Sequence, residues 1–203
     1  STVAFGALST AGSLYTVALA DASGSADVIN YVLASTNETS ATKIADTTLG
    51  TANNAGTITT NAVETFNITS TAVDADGAQN VITANGNAVT TINISGNAGV
   101  TLTSTATTLK TVDASASTAG SLVFTANNAS MTVKGGAGDD TITIATTADG
   151  SKFYGNGGND TFKIAAGADL ITIDGGAGAD KFDFNGVSTN KSNFVVLNNV
   201  DSG

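Results

Sequence analysis

Residues 135–143 read Gly135-Gly136-Ala137-Gly138-Asp139-Asp140-Thr141-Ile142-Thr143, and two similar nonapeptides follow along the chain. They are Gly155-Asn156-Gly157-Gly158-Asn159-Asp160-Thr161-Phe162-Lys163 at 155–163 and Gly175-Gly176-Ala177-Gly178-Ala179-Asp180-Lys181-Phe182-Asp183 at 175–183. Their first positions, Gly135, Gly155 and Gly175, are 20 residues apart. Each nonapeptide fits the pattern G-G-x-G-x-D-x-U-x, in which U is apolar. Asn156 replaces one glycine, and asparagine is the side chain that best tolerates a positive φ. A constant step of this length is typical of stacked repeats.

The apolar position of the nonapeptide also recurs upstream, where the glycines are absent. The same constant step, taken backwards from Phe182, passes Phe162 and Ile142 and reaches three further apolar residues, Leu122, Leu102 and Ile82. Short runs of alternating apolar and polar residues recur about every half period, which predicts two β-strands per repeat. The predicted strands lie at 91–95, 100–103, 109–112, 122–124, 131–133, 141–144, 153–154, 162–164, 171–173 and 182–184.

This pattern predicts an all-β fold, a right-handed parallel β-solenoid or β-roll with two facing sheets and two strands per coil of about 20 residues. The predicted inward side chains are Ile142, Ile144, Phe162, Ile164, Phe182 and Phe184 from one sheet and Val133, Phe153 and Ile173 from the other. An antiparallel sandwich also uses short alternating strands, but it gives no reason for a fixed step.

The repeat is expressed more clearly in one part of the chain than in the other. Residues 61–203 are predicted to form the solenoid. Residues 1–60 contain alternating runs at 14–19, 28–33 and 57–60 and are predicted to be β-rich. Their strands either join the same stack or form a small sandwich-like cap. Residues 201–203 do not resemble a natural terminus, so we expect the sequence to be a piece of a larger protein.

Composition excludes several classes of function. The chain of 203 residues has no Cys or His, and all seven of its basic residues are Lys. Disulfides, zinc–thiolate sites, thiol nucleophiles and Ser/His triads are therefore excluded, and we expect no enzyme activity. With 34 Thr, 33 Ala and 23 Gly, the core has to be built largely from small stacked side chains.

The charge of the chain indicates a cation as its partner. Seventeen acidic residues against seven Lys give a formal net charge of −10. Nucleic acids and anionic membranes are not attracted to such a chain, so neither is an expected partner. No apolar run approaches the roughly 18 residues of a membrane span, and we expect no direct membrane insertion.

The glycine-rich turns combine backbone freedom with a carboxylate at a fixed place. Glycine lets the chain bend tightly and expose several carbonyl oxygens, and each turn ends in an aspartate, Asp140, Asp160 or Asp180. Stacking would bring these carboxylates to about 4.8 Å from one another. Two unit charges at that distance repel by about 3 kcal/mol at an effective dielectric constant of about 20. A divalent cation between the turns would replace repulsion by coordination, and Ca²⁺ prefers such oxygen ligands.

Two simpler interpretations stay open at this point. The turns can be ordinary β-turns with solvated acids. For Asp139, Asp174 and Asp183 an influence on the local electric field is the favoured interpretation, ahead of a role as ligands.

The three nonapeptides resemble the calcium-binding repeats of RTX proteins, which Gram-negative bacteria export through type I secretion systems. The resemblance implies a β-roll in which aspartates and turn carbonyls hold Ca²⁺ between adjacent turns, with at least two ions for three turns. The implied ligands are Asp140 with Gly135, Gly136 and Gly138, Asp160 with Gly155, Asn156 and Gly158, and Asp180 with Gly175, Gly176 and Gly178. The other edge of the coils departs from the family pattern, but Asp149 and Asp169 keep the constant step and are candidate ligands.

Most of the chain is also similar to bacterial surface-layer (S-layer) proteins that use type I secretion. The likeness lies in a Cys-free composition rich in Thr, Ala and Asn and in stretches such as 63–69. It implies an extracellular structural protein that folds with Ca²⁺ and self-assembles with its own copies into a lattice on the cell surface. It also implies cell-surface polysaccharide as a second partner, bound through another domain. The alternatives are an RTX adhesin stalk and the secretion-linked repeat region of an exported hydrolase or toxin.

Overall fold

The computed structural model of the chain describes residues 2–5, 14–17, 24, 26–33, 53–71, 79–145, 148–165, 170–186 and 195–199. All regular secondary structure in this part of the chain is β-strand, which confirms the predicted all-β class. The strands, numbered in chain order, are β1 (Thr2–Phe5), β2 (Leu14–Val17), β3 (Val28–Leu33), β4 (Asn53–Thr60), β5 (Thr65–Ser70), β6 (Asn80–Gly86), β7 (Thr91–Gly96), β8 (Val100–Thr103), β9 (Thr111–Ser117), β10 (Leu122–Ala126), β11 (Thr132–Lys134), β12 (Thr141–Ile144), β13 (Lys152–Tyr154), β14 (Thr161–Ala165), β15 (Ile171–Asp174), β16 (Lys181–Gly186) and β17 (Val195–Asn198).

The strands form two sheets, and the chain alternates between them. Odd-numbered strands make one sheet and even-numbered strands the other, each in chain order, and we call these the odd sheet and the even sheet. Neighbouring strands within each sheet pair in parallel. Each coil therefore contributes one strand to each sheet, and the next coil lies directly on it. This is the predicted parallel β-solenoid, and it is not closed into a barrel.

The spacing between coils is constant around the glycine-rich turns and changes just upstream of them. Ile142 lies beside Phe162, as the constant step predicts. On its other side, however, Ile142 lies beside Phe124, so this step is two residues shorter than the constant one. Phe124 in turn lies beside Leu102, so the step before it is two residues longer. The prediction that Leu122 occupies this column was therefore wrong by two positions. Because a shift by two preserves the alternation, the same face of each strand still points inward.

The strands before residue 61 belong to the same two sheets as the later ones. β1 pairs with β3 and β3 with β5 in the odd sheet, while β2 pairs with β4 and β4 with β6 in the even sheet. The sequence left two arrangements open for these strands, the common stack or a separate cap. The observed pairings are those of the common stack. Their coils are longer, since Val28 lies beside Thr65 and Thr57 lies beside Thr83.

Most of the predicted core side chains are buried between the sheets. Seven of the nine are at most 2 % exposed, namely Val133, Ile142, Ile144, Phe153, Phe162, Ile164 and Ile173. Phe182 is partly buried, and its ring stacks on that of Phe162 with centroids 5.4 Å apart. Phe184 is 39 % exposed, so the prediction was wrong there. The reason is that β16 is the outermost described strand of the even sheet and its pairing with β14 shifts after Lys163.

Two adjacent residues of β13 test the alternation of inward and outward side chains. Phe153 is fully buried between Val133 and Ile173, whereas Lys152 is exposed. We expect Phe153→Ala to lower the free energy of unfolding by about 3–5 kcal/mol, because it leaves a cavity that a stacked core cannot fill. Lys152→Ala should change it by about 0.5 kcal/mol or less. Urea denaturation followed by circular dichroism measures both values, and equal effects of the two substitutions would contradict the assigned faces.

Candidate functional site

The three glycine-rich turns stack on one edge of the solenoid. Residues 135–140 connect β11 to β12, residues 155–160 connect β13 to β14, and residues 175–180 connect β15 to β16. Each turn therefore leads from the odd sheet to the even sheet, and we call these three segments together the glycine edge. The turn that contains Asp149 leads from β12 back to β13 and lies on the opposite edge.

The aspartates of the glycine edge form a ladder of hydrogen bonds from coil to coil. The main-chain N–H of Asp140 donates to Oδ1 of Asp160 at 2.7 Å, and the N–H of Asp160 donates to Oδ1 of Asp180 at 2.9 Å. The N–H of Leu122 donates in the same way to Oδ1 of Asp140 at 2.5 Å. In an earlier coil the corresponding donor, the N–H of Val100, bonds to the Ser121 carbonyl instead, at 2.8 Å. A carboxylate oxygen has thus taken the place of a main-chain acceptor.

The second carboxylate oxygen of each aspartate is where the three turns differ. Asp140 Oδ2 accepts a hydrogen bond from the N–H of Gly136 at 2.8 Å. Asp160 Oδ2 and Asp180 Oδ2 are buried, and within the described residues neither has a hydrogen-bond partner. Buried polar atoms without a partner are rare in proteins and costly, above all on a charged group.

The backbone of the turns explains this difference. Asn156 and Gly176, which follow the first glycine of the second and third turns, have φ values of 74° and 93°. Gly136, at the same place in the first turn, is outside this left-handed region. Only in the first turn does the N–H of this residue bond to the aspartate, so the two later turns leave one carboxylate oxygen open.

The first glycine of each turn leaves space that oxygen atoms fill. A Cβ on Gly155 would overlap both Asp160 Oδ2 and the carbonyl oxygen of Gly175 in the next coil. A buried carboxylate oxygen and a main-chain carbonyl oxygen therefore border the same small space, and this oxygen-rich cradle suits a hard cation such as Ca²⁺. The corresponding pairs in the other turns are Asp140 Oδ2 with the Gly155 carbonyl and Asp180 Oδ2 with the Asn199 carbonyl.

Burial dominates the electrostatics of the ladder. Asp140 and Asp160 are each only 1 % exposed. Burial raises the pKa of Asp140 to about 6, although hydrogen bonds from Leu122 and Gly136 oppose the rise. Burial also raises the pKa of Asp160 to about 7, and the neighbouring carboxylates of Asp140 and Asp180 add to that rise. Both groups are therefore costly to ionise in the folded chain.

Charge on the outer face of the odd sheet is balanced differently. Asp113 there accepts a hydrogen bond from Lys134 of the next coil, with Nζ and Oδ2 2.8 Å apart. Burial alone would raise the pKa of Asp113, but the bonds from Lys134 and Ser115 lower it overall. Among the described residues no lysine stands at such a distance from Asp140, Asp160 or Asp180. The ladder thus lacks a cation of its own.

The remaining predicted ligands fall into three groups. Gly158 and Gly178 have positive φ values and lie against the backbone of the preceding turn, as Gly138 lies against residues 119–121. Asp149 is exposed on the opposite edge, away from the ladder. Asp169 lies outside the described residues.

Nowhere in the described ranges do three or more Asp, Glu, His or Cys side chains gather into a group that could hold a metal. A cation on the glycine edge therefore needs main-chain carbonyl ligands as well.

Two features of the edge were missed by the sequence interpretation. Asp139 Oδ1 accepts a hydrogen bond from the N–H of Asn159 at 2.6 Å, and Asn159 Oδ1 accepts one from the N–H of Ala179 at 2.9 Å. This outer ladder runs parallel to the buried one, and the constant spacing of the two polar side chains was its sequence signal. The second feature, the Asn199 carbonyl, carries no signal, because no glycine motif precedes it.

Comparison with known proteins does not identify the chain: no family model matches it, and neither a curated protein nor a solved structure is significantly similar to it. A helix of the length and hydrophobicity needed to cross a bilayer is absent from the described part of the chain.

Two glycines of the second turn test how tightly the edge is packed. Gly155→Ala places a Cβ onto two oxygens, so we expect it to lower the free energy of unfolding by about 2 kcal/mol or more. In Gly157→Ala the nearest atom is the Ala137 Cα at 3.9 Å, and φ is not left-handed. This control should change stability by less than about 1 kcal/mol. Thermal unfolding of both variants measures the difference, and an unchanged Gly155→Ala variant would contradict the packing.

The raised pKa values predict the pH dependence of stability without metal. Because the pKa values of Asp140 and Asp160 are higher in the folded chain than the usual value of about 3.9, the folded chain binds more protons. Their contribution to stability is complete below about pH 4 and is lost as the pH rises through about 6–7. In chelator, the melting temperature should therefore fall between about pH 5 and about pH 8. Asp160→Asn should reduce that fall, and an equal pH dependence in the variant would contradict the assignment.

Proposed function

We propose that this protein is a structural, calcium-binding solenoid whose folding and self-assembly depend on Ca²⁺ at the glycine edge. The observation that carries the proposal is a pair of buried carboxylate oxygens, Asp160 Oδ2 and Asp180 Oδ2, which have no hydrogen-bond partner in the part of the chain that the structure describes. The Gly175 and Asn199 carbonyl oxygens lie beside them. Oxygen ligands of both kinds suit Ca²⁺, whereas Mg²⁺ fits worse because it demands near-ideal octahedral geometry and keeps its water.

Ion binding at this place stabilises the fold directly. A bound Ca²⁺ supplies the positive charge that the ladder lacks. The aspartates hold neighbouring coils in register through their Oδ1 atoms, and the Oδ2 atoms are turned towards carbonyls of the next coil. An ion present at about ten times its dissociation constant adds about 1.4 kcal/mol per site. The C-terminal coils would then be weak without Ca²⁺ and stable with it.

The same coupling suits an exported surface-layer protein. Copies with a net charge of −10 repel one another, and bound divalent cations reduce that repulsion. A parallel solenoid also ends in unpaired strands at which further chains can add. We propose that the C-terminal coils stay open where Ca²⁺ is scarce, that the chain is exported through a type I system, and that it completes its folding outside the cell in a lattice of its own copies. Nothing in this proposal requires catalysis.

A calcium titration from chelator, followed by circular dichroism and light scattering, tests the proposal. We expect the β-structure signal to increase with Ca²⁺, and particles to grow afterwards. Asp160→Asn keeps the shape of the side chain and an acceptor for the Asp140 N–H but loses the charge, so its transition should need at least about 10-fold more Ca²⁺. Asp149→Asn, on the opposite edge, is the matched control, and its transition should shift by less than about twofold.

The outcomes separate the candidate functions. Unchanged circular dichroism and melting temperature in excess chelator would contradict calcium-dependent folding. Folding with Ca²⁺ that stops at a monomer would contradict the lattice and favour an adhesin stalk or a secretion-linked repeat region. A response to Mg²⁺ as strong as that to Ca²⁺ would contradict the assignment of the ion.

A further inference from the structure

The step from the first glycine-rich turn to the second is closed by the protein's own hydrogen bonds. Both carboxylate oxygens of Asp140 accept main-chain N–H groups, one from Leu122 and one from Gly136. The carbonyl oxygen of Gly135 accepts a hydrogen bond from Asn156 Nδ2 at 2.7 Å. The carbonyl oxygen of Gly136 accepts the N–H of Gly157 at 3.1 Å. Of the oxygens that a cation would take here, both of Asp140 and the carbonyls of Gly135 and Gly136 therefore already have donors.

Asn156 is the residue that distinguishes this step from the next. A carbonyl oxygen only accepts hydrogen bonds, so the atom of Asn156 that contacts Gly135 is its amide NH₂. The backbone of Asn156 has φ 74°, which asparagine tolerates better than most residues. The third turn has Gly176 at this place, which has no side chain to donate. Between the first and second turns the amide thus performs the role of a positive group. Past the third turn, Asn199 Nδ2 donates to Asp174 Oδ1 at 2.7 Å, and not to a turn carbonyl.

The main-chain bond recurs at the second step, where the N–H of Ala177 donates to the Asn156 carbonyl at 2.9 Å, but the carboxylates of the next two steps are not closed in this way. Asp160 Oδ2 and Asp180 Oδ2 are buried without a partner among the described residues. A Cβ added to Gly155 would touch both Asp160 Oδ2 and the Gly175 carbonyl oxygen of the following coil. A Cβ added to Gly175 would likewise touch Asp180 Oδ2 and the Asn199 carbonyl oxygen. Two acceptors side by side repel each other unless a donor or a cation lies between them.

We infer that Asn156 replaces the ion at the first step of the glycine edge, so that the metal-dependent part of the solenoid begins at Asp160. This inference rests on the proposed binding of Ca²⁺ and assigns the ions to different places from those implied by the motif. They lie between the second and third turns, and between the third turn and Asn199. The first turn, although it matches the motif fully, takes no ion. Coils up to β12 therefore fold without Ca²⁺, and coils from β14 onwards depend on it.

Hydrogen exchange on the whole 203-residue chain, with Ca²⁺ and in chelator, tests the boundary. We expect chelator to lower the protection of amides in β16 by at least about 100-fold and to change that in β12 by less than about threefold. Equal loss of protection in β12 and β16 would overturn the inference while leaving calcium-dependent folding intact.

Asn156→Gly removes the amide and allows the same positive φ, so it isolates the proposed replacement. Calorimetric titration should show one more bound Ca²⁺ per chain than in the parent protein, and β12 should become sensitive to chelator. Asn159→Gly, in the same turn, removes an exposed side chain that bonds to Ala179, and it should leave the number of ions unchanged. An unchanged ion count in Asn156→Gly would overturn the inference. If the parent chain binds no Ca²⁺, the proposed function fails first and this inference fails with it.

Discussion

In a parallel solenoid, paired strand residues of successive coils lie about 4.8 Å apart. This spacing makes the stacking of some side chains stabilising and that of others destabilising. Apolar side chains such as Phe162 and Phe182 gain from it, because like rings stack and exclude water. Carboxylates lose, because like charges are brought together in a place that water does not reach. The composition and the polar contacts of the chain follow from this one constraint.

Polar side chains are satisfied in more than one way along the stack. On the outer face of the odd sheet, amides stack in a ladder in which Asn93 donates to Asn67 and Asn67 to Asn30. Where a charge enters the same column, Lys134 of the next coil pairs with Asp113. Amides can be stacked indefinitely because each carries both donors and an acceptor. A carboxylate has only acceptors, so a column of carboxylates needs donors from elsewhere.

On the glycine edge, some carboxylate oxygens have no hydrogen-bond donor among the described residues. Main-chain N–H groups satisfy Oδ1 of Asp140, Asp160 and Asp180 in the same manner. For Oδ2 the supply depends on the backbone of the turn, and only the first turn provides a donor. A motif repeated three times in the sequence is therefore not three equal sites. The difference comes from the φ angle of a single residue per turn and from the amide of Asn156.

The sequence by itself determined the architecture, because a constant period with alternating apolar residues has few physical solutions other than a stacked parallel solenoid. It also determined which edge carries the glycines and which aspartates align. Tertiary structure alone decided the local register at Phe124, the exposure of Phe184 and the partner oxygen at Asn199. It also decided which carboxylate oxygens are satisfied. These features depend on backbone dihedral angles and on which coil covers which, and a residue pattern specifies neither, since both motif glycines and asparagine can adopt φ of either sign.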